Sequence, residues 1–138
     1  MFLLDTNVVS ALRKKDAAAV RWLSAQQRGT SWLSVMTLGE IRRGIEMKQR
    51  KDAEAARHLA SWFAAIRGEF GQRVLSVNEA VALEWGRISA LRTRGEADSL
   101  IAATAIVHDL LLVTRNVADF QDTGVSLVNP WDALGTTR

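Results

Sequence analysis

The chain alternates short apolar segments with longer helical ones, and this alternation limits its possible folds more than any other feature. Short runs rich in Leu and Val are typical of buried strands. Because parallel strands need a crossover connection, the alternation predicts an α/β fold with a parallel sheet covered by helices on both faces. The predicted strands are Phe2–Leu4, Thr30–Ser34, Val74–Val77, Leu111–Val113 and Ser126–Val128.

Caps and apolar periodicity predict the helices between these strands. The strongest amphipathic pattern lies in residues 55–70, and residues 97–108 are apolar on nearly every side, which indicates a buried helix. The other predicted helices are a segment that includes Val8–Leu12, a helix over Ala17–Gln27, one from Ser34 or Thr37 to about Lys48, and one capped by Asn78.

Size and composition indicate one domain over residues 1–138. Hydrophobic residues make up 48% of the chain and charged residues 24%, which is typical of a globular protein. The absence of cysteine excludes a disulfide framework and a thiolate metal site. No apolar run is long enough for a membrane span, and Asp5 interrupts the N-terminal segment too early for a signal peptide. We therefore expect a cytoplasmic protein without a membrane partner.

Polar residues follow the predicted strands, where parallel sheets bind their ligands. Four acids come from distant segments of the chain and are expected to meet at one end of the sheet. Neutral polar residues accompany them. The acids are Asp5, Glu40, Asp98 and Asp119, and the neutral residues are Thr6, Asn7, Thr114 and Asn116.

Each of these acids also has a purely structural interpretation. Asp5 is a candidate helix cap, Glu40 lies off the apolar stripe of its helix and suits a solvated surface, and Asp98 suits the positive end of a helix dipole. Asn116 and Asp119, three residues apart, would form a capping pair.

The combination of acids favours a metal site. Carboxylates close together need a positive charge among them, and Arg115 is the only Lys or Arg after a predicted strand. His58 and His108 fall in helices. The remaining donors are all oxygen atoms, which suits Mg²⁺ or Mn²⁺. No glycine-rich phosphate-binding motif is present.

Five segments, taken in order, closely resemble the signature segments of PIN-domain ribonucleases, especially the VapC/FitB-like toxins of bacterial type II toxin–antitoxin modules. The resemblance extends from Phe2 to Trp131, with Glu96 as a departure in a variable place. The segments are Leu3–Asn7, Thr37–Ile41, Asp98–Ala105, Leu112–Asn116 with Asp119-Phe120, and Asn129–Trp131.

The resemblance implies a five-stranded parallel sheet in the order 3-2-1-4-5 and a ribonuclease that acts as a toxin. It implies that the four acids bind one or two Mg²⁺ or Mn²⁺ ions, with the four neutral residues supporting the ligands or the substrate phosphate. A bound ion would activate water for attack on phosphorus, and Asp98 or Asp119 would accept the proton. It also implies a cognate antitoxin and a homodimer within a larger toxin–antitoxin assembly.

Charge is unevenly placed, with a balance of +7 over residues 1–95 and −4 over residues 96–138. Such asymmetry suggests a polyanionic partner for the basic part. Within the basic run Arg42–Lys51, we expect Arg42, Arg43 and Lys48 to contact the RNA backbone. The structural alternative is a solvated helix end.

Two other functions fit an α/β domain with acids at its strand ends. One is a phosphatase-type or receiver-type domain, although the lysine of receivers and the second acid of dehalogenase-like phosphatases are missing. The other is a non-catalytic RNA-binding module. The adjacent Trp62 and Phe63 cannot both lie at the centre of one helix face, so we expect at least one to flank a groove for an antitoxin or a second copy, with burial of both as the alternative.

Overall fold

The computed structural model describes residues 1–132 of the chain. Its strands are β1 (Phe2–Leu4), β2 (Ser31–Ser34), β3 (Val74–Leu75), β4 (Leu111–Val113) and β5 (Leu127–Val128). Its α-helices are α1 (Thr6–Arg13), α2 (Ala17–Ser24), α3 (Val35–Gln49), α4 (Ala53–Phe70), α5 (Glu79–Ser89) and α6 (Glu96–Val107). A 3-10 helix, Val117–Phe120, lies between β4 and β5.

The five strands form one sheet in the order β3-β2-β1-β4-β5, and every neighbouring pair is parallel. The predicted fold class and strand order are therefore confirmed. β1 is central, with Leu3 opposite Trp32 of β2 and Leu112 of β4. Since strand order reverses between β1 and β4, the carboxyl ends of these two strands form the crevice where such sheets bind ligands.

Alternate strand residues point to opposite faces of the sheet and build two cores. Leu3 and Leu112 pack in one core with Ile101 of α6 and Ile88 of α5. Their neighbours Leu4 and Val113 pack in the other core, which includes residues of α1, α3 and α4. Strands β1 and β4 are apolar on both faces for this reason, and helices cover both faces as predicted.

Helix α6 is buried on most of its sides, which confirms the expectation from its composition. Ile101, Ala102, Ala103 and Ala105 are fully buried, and the small alanine side chains allow α6 to pack closely against α5 and the sheet. No helix within residues 1–132 is both long enough and apolar enough to cross a membrane.

Strands β2 and β5 are one residue shorter than predicted, and two other elements, β3 and α2, are shorter by two residues or more. β3 ends at Leu75 rather than Val77 because its partner β2 ends at Ser34, whose side chain caps α3 by accepting from the amide of Met36 at 3.0 Å. Strand β2 therefore has no backbone left to pair with residues 76 and 77. Helix α2 ends at Ser24 rather than Gln27, before the turn that contains Gly29 at φ 81°.

Candidate active site

Asp5 lies at the carboxyl end of β1 and is the most buried of the four predicted acids, with 3% of its surface exposed. Its Oδ1 accepts a hydrogen bond from the amide of Thr6 at 2.8 Å, so it caps α1. Its Oδ2 accepts from the hydroxyl of Thr114 at 2.8 Å and from Nδ2 of Asn7 at 3.4 Å. The capping role is thus real, but it uses one oxygen atom and leaves the other to the polar crevice.

Thr114, at the end of β4, connects the polar groups between the two strands. Besides donating to Asp5, its buried hydroxyl accepts from Nδ2 of Asn7 at 3.2 Å and from the amide of Asn116 at 3.1 Å. Asn7 in turn accepts from the amide of Arg115 at 3.3 Å. Asn116 takes part through its main chain, and its side chain makes no capping bond to the 3-10 helix.

Glu40 lies on α3 and is tied to α1 by a short hydrogen bond, because the Thr6 hydroxyl donates to its Oε1 at 2.6 Å. The hydroxyl of Thr37 lies 3.0 Å from that of Thr6. Glu40 is half-buried at the edge of the crevice rather than fully solvated. Thr37 was not among the predicted site residues, although its position one turn before Glu40 places it on the same side of α3.

Asp98 lies in the first turn of α6, and Asp119 lies in the 3-10 helix that follows β4. Burial, followed by the charges of Glu40 and Asp119, raises the pKa of Asp98, while Arg94 opposes this change. Burial also raises the pKa of Asp5 from 3.8 to about 6, against the hydrogen bonds from Thr114 and Thr6, and the charges of Asp98 and Glu40 raise it further. Asp5, Glu40 and Asp98 therefore lie near enough for their charges to repel one another, and Asp119 lies near enough to act on Asp98.

The chemistry of these donors fits a hard divalent cation. The four side chains offer carboxylate oxygens only, and a cation would remove the cost of ionising the buried Asp5. Within residues 1–132, no three acid or imidazole side chains are arranged so that they enclose an ion. Asp119 is the most open of the four acids, with its side chain 59% exposed and 3.8 Å from the Arg92 guanidinium.

A groove of about 310 Å³ begins at Glu40 and Thr6 and carries three cationic residues. Lys48 of α3 lines it together with Arg13 and Lys14, which follow one another at the end of α1. The sequence prediction missed Arg13 and Lys14 because the basic run on α3 was considered alone. Arg13 lies seven residues, or about two helical turns, after Thr6, and this spacing places it on the same side of α1.

The other two predicted RNA contacts lie elsewhere on α3. Arg42 pairs with Glu46 at 3.6 Å, one helical turn away, and both line a different cavity between α3 and α4 together with Phe63. Arg43 is exposed. Trp62 lines the groove beside Lys48. Trp62 and Phe63 are both half-buried and line different cavities. This arrangement agrees with the expectation that at least one of them flanks a groove.

Arg92 and Arg94, in the loop before α6, contact the site but were not among the predicted residues. Both donate hydrogen bonds to the main-chain carbonyl of Asp119, at 2.7 and 3.1 Å. Arg115 is the only basic residue after a predicted strand, but Arg92 and Arg94 also bring positive charge to the segment that carries Asp119. Arg115 instead stacks its guanidinium over the Trp131 ring at 4.4 Å. The loop lies before α6 rather than after a strand, so a search of the residues after strands could not find these arginines.

Comparisons with known proteins agree with the fold. The family model described as PIN domain matches residues 2–125. A VapC ribonuclease of Sinorhizobium fredii is 32% identical to the chain, covering 96% of the chain and 99% of that protein. Toxin FitB of Neisseria gonorrhoeae is 34% identical, covering 95% and 99%. The crystal structure of FitAcB from the same organism superposes with a TM-score of 0.86 at 30% identity, covering 96% and 99%. This chain belongs to the PIN-domain family.

Proposed function

We propose that this protein is a metal-dependent endoribonuclease that serves as the toxin of a bacterial toxin–antitoxin system. The observation that carries the proposal is the buried carboxyl of Asp5, which Thr6 and Thr114 orient and whose pKa is raised by burial and, to a smaller extent, by the charges of Asp98 and Glu40. Such an arrangement costs stability unless a cation compensates for it. The names of the similar proteins, a ribonuclease and a toxin, support the same function.

Asp5, Glu40, Asp98 and Asp119 would hold one or two Mg²⁺ or Mn²⁺ ions. When bound, such an ion makes a nucleophile of its water at neutral pH and neutralises charge on the scissile phosphate. The chain's own neutral donors orient the acids. Thr114 fixes Oδ2 of Asp5, and Thr6 fixes Oε1 of Glu40.

Asp98 is the better candidate to accept the proton from the attacking water. Its carboxylate is half-buried in the first turn of α6 and is near enough to Glu40 and Asp119 for their charges to act on it. The Asp119 carboxylate, by contrast, is exposed and lies beside Arg92. We therefore assign the proton to Asp98 and a metal-holding role to Asp119.

The RNA backbone would follow the groove that begins at Glu40. Lys48, Arg13 and Lys14 line this groove and supply three positive charges to phosphates. Arg43, three residues after Glu40, extends the same side of α3. Arg42 contributes less because Glu46 already pairs with it.

We further propose that a cognate antitoxin inhibits the protein, and that the protein acts in the cytoplasm as a homodimer within a larger toxin–antitoxin assembly. The description of its relative FitB as a toxin supports an antitoxin partner. Trp62 lies beside the groove that leads to the acids, so an antitoxin segment seated there would also obstruct the route of RNA to the site.

Asp98→Asn tests the proposed function directly, because it removes charge and basicity while keeping shape. We expect the variant to lose cleavage of RNA in Mg²⁺ and to lose growth arrest, with thermal stability maintained. Asp109→Asn is the matched control. Asp109 has φ 54° in a turn after α6, a conformation that Asn also tolerates, and we expect wild-type cleavage from it.

The same experiment separates the alternatives. A wild type that binds RNA but cleaves none in Mg²⁺ or Mn²⁺ would be the non-catalytic module. Cleavage by Asp98→Asn at the wild-type rate, or cleavage that persists unchanged in EDTA, would contradict the metal-dependent mechanism. Hydrolysis of a phosphomonoester without hydrolysis of RNA would favour the phosphatase-type domain.

A further inference from the structure

The 3-10 helix that carries Asp119 is bound by two arginine side chains from the loop before α6. It spans Val117–Phe120, and the amide of Asp119 donates to the carbonyl of Asn116 at 3.1 Å. The carbonyl of Asp119 accepts from Nη2 of Arg92 at 2.7 Å and from Nη1 of Arg94 at 3.1 Å. These two arginines, which we call the arginine clamp, therefore bind the residue that carries the acid itself.

Arg94 is the fixed member of the clamp. Its side chain is 5% exposed, whereas that of Arg92 is 46% exposed. Its Nη2 donates to Oδ2 of Asp122 at 2.7 Å, and Arg92 Nε lies 3.5 Å from the same oxygen. The guanidinium of Arg94 thus has one hydrogen bond to a carbonyl and one to a carboxylate, and this pair of bonds fixes the plane of the group.

The clamp also lies between Asp98 and Asp119. Gly95, which follows Arg94, is the N-terminal cap residue of α6 and supplies no side-chain capping bond. A Cβ at Gly95 would lie 3.4 Å from Oδ2 of Asp98, so the backbone at this point approaches the Asp98 carboxylate closely. Arg94 therefore lies between the two acids. Its guanidinium binds the main chain of Asp119, and the next residue, Gly95, lies close to the Asp98 carboxylate.

We propose that Arg94, assisted by Arg92, is a positioning residue that sets the place of Asp119 relative to Asp98. The proposal rests on the proposed function, since it assigns these two acids to one metal-dependent site. Arg94 acts through the Asp119 carbonyl and Asp122, and it does not itself touch the reacting atoms. Asp122, whose Oδ2 contacts both arginines, is the anchor of the clamp.

Two other roles of Arg94 predict different results. If Arg94 acted only as a positive charge beside the acids, its removal would strengthen cation binding, because it competes with the cation electrostatically. If it only anchored the segment, its loss would resemble the loss of Arg87. That residue donates to the Thr123 carbonyl at 2.7 Å, four residues beyond Asp119.

The experiment measures three quantities for full-length protein: Mn²⁺ affinity by electron paramagnetic resonance without RNA, amide hydrogen exchange over residues 117–120, and kcat and KM for RNA cleavage. The variants are Arg94→Met, Arg94→Lys and Asp122→Asn, with Arg87→Met as the matched control. Arg94→Lys keeps the charge but loses the two-pronged guanidinium geometry.

We expect Arg94→Met and Arg94→Lys both to weaken Mn²⁺ binding by about tenfold, the usual effect of residues that orient metal ligands. Exchange over residues 117–120 should become faster, and kcat should fall more than KM rises. Asp122→Asn should act in the same direction by a few-fold. Arg94→Met combined with Asp122→Asn should be no worse than Arg94→Met alone, because both changes break one interaction. Arg87→Met should lower the melting temperature while Mn²⁺ affinity stays within twofold.

Stronger Mn²⁺ binding in Arg94→Met, with Arg94→Lys unchanged, would overturn the proposal in favour of a charge effect alone. Equal effects of Arg94→Met and Arg87→Met on all three quantities would overturn it in favour of simple anchoring. If the wild type binds no Mn²⁺ and cleaves no RNA, the proposed function fails. In that case amide hydrogen exchange over residues 117–120 still tests whether the arginine clamp holds this segment. Faster exchange in Arg94→Met would support the clamp, and unchanged exchange would overturn it.

Discussion

The two halves of the acidic site are held in different ways. In the inner half, Asp5 and Glu40 receive hydrogen bonds from the hydroxyls of Thr114 and Thr6, which are neutral. In the outer half, Asp98 and Asp119 lie near guanidinium groups of the loop before α6. Neutral donors orient a carboxylate without cancelling its charge, whereas arginines cancel part of it. We infer that the inner half provides most of the attraction for a cation and the outer half provides adjustable ligands.

Among the substitutions that test the difference between the two halves, Asp5→Asn should have the largest effect. A pKa of about 6 in place of 3.8 corresponds to about 3 kcal/mol of stability lost when the buried carboxyl ionises. The folded protein binds this proton more tightly than the unfolded chain, so the loss is absent below pH 3.8, grows as the pH rises, and is complete above pH 6. Asp5→Asn should therefore be more stable than wild type in urea unfolding at pH 7 in EDTA, yet cleave RNA at least about a hundredfold more slowly.

Asp119→Asn is the matched comparison from the outer half. Its exposed carboxylate should change stability by less than about 0.5 kcal/mol, although cleavage should again fall. At pH 3.5 the gain from Asp5→Asn should disappear, since Asp5 is then largely protonated in both states. Equal stability of Asp5→Asn and wild type at pH 7 would contradict the assignment of an unfavourable inner half.

Thr114→Val should have the next largest effect. The hydroxyl serves Asp5, Asn7 and the amide of Asn116, and its loss leaves buried polar groups unpaired, at a cost of about 2 kcal/mol. Cleavage should fall about tenfold to a hundredfold because Asp5 loses its orientation. Thr114→Ser keeps the hydroxyl and should retain most of the activity. If Thr114→Ser were as inactive as Thr114→Val, packing of the methyl group rather than the hydrogen bonds would be responsible.

Proton competition should distinguish the halves by a smaller amount. Because Asp5 has a pKa of about 6, Mn²⁺ must displace its proton at pH 5 but not at pH 7, and affinity should fall about tenfold between them. Titration calorimetry at the two pH values measures this ratio. Asp119→Asn should keep this dependence and Asp5→Asn should lose most of it. The same ratio in both variants would show that the proton belongs to another group.

Charge reversal at Lys48 should give the smallest effect. Lys48→Glu places a negative charge in the groove that begins at the inner half, so RNA affinity should fall several-fold. Because one phosphate contact is removed, the slope of log affinity against log salt concentration should become shallower by about 0.7. Arg42→Glu is the matched control on the same helix, and its effect should be smaller because Arg42 lines another cavity. Filter binding across a salt series measures both. A larger effect of Arg42→Glu would place the RNA between α3 and α4 instead.

The sequence predicted the inner half because local and global structure coincide there. Asp5, Thr6 and Asn7 follow an apolar strand directly, and any parallel sheet places Thr114 at the end of a strand on the same edge. Glu40 required only the spacing from a strand end into a helix. These positions depend on chain direction and strand ends, which apolar patterning reveals.

The acids of the outer half, Asp98 and Asp119, were also predicted, but the arginines beside them are held by contacts that no periodicity encodes. Arg92 and Arg94 bind the main-chain carbonyl of Asp119, more than 20 residues away. Because every residue has such a carbonyl, the sequence does not indicate which one an arginine binds. The sequence also could not predict that β3 has only two residues. Its length depends on the helix cap at Ser34 of the neighbouring strand rather than on the composition of residues 74–77.

The two outermost strands, β3 and β5, contain only two residues each, and Pro130, which lacks an amide hydrogen, follows shortly after β5. A long unpaired edge is a template on which another chain can add a strand, and it leads readily to aggregation. Here each edge offers too little free backbone for such an addition. A chain of this kind must recognise other proteins through side chains on its helices. Its assemblies should consequently be sensitive to single surface substitutions and resistant to growth by strand addition into fibrils.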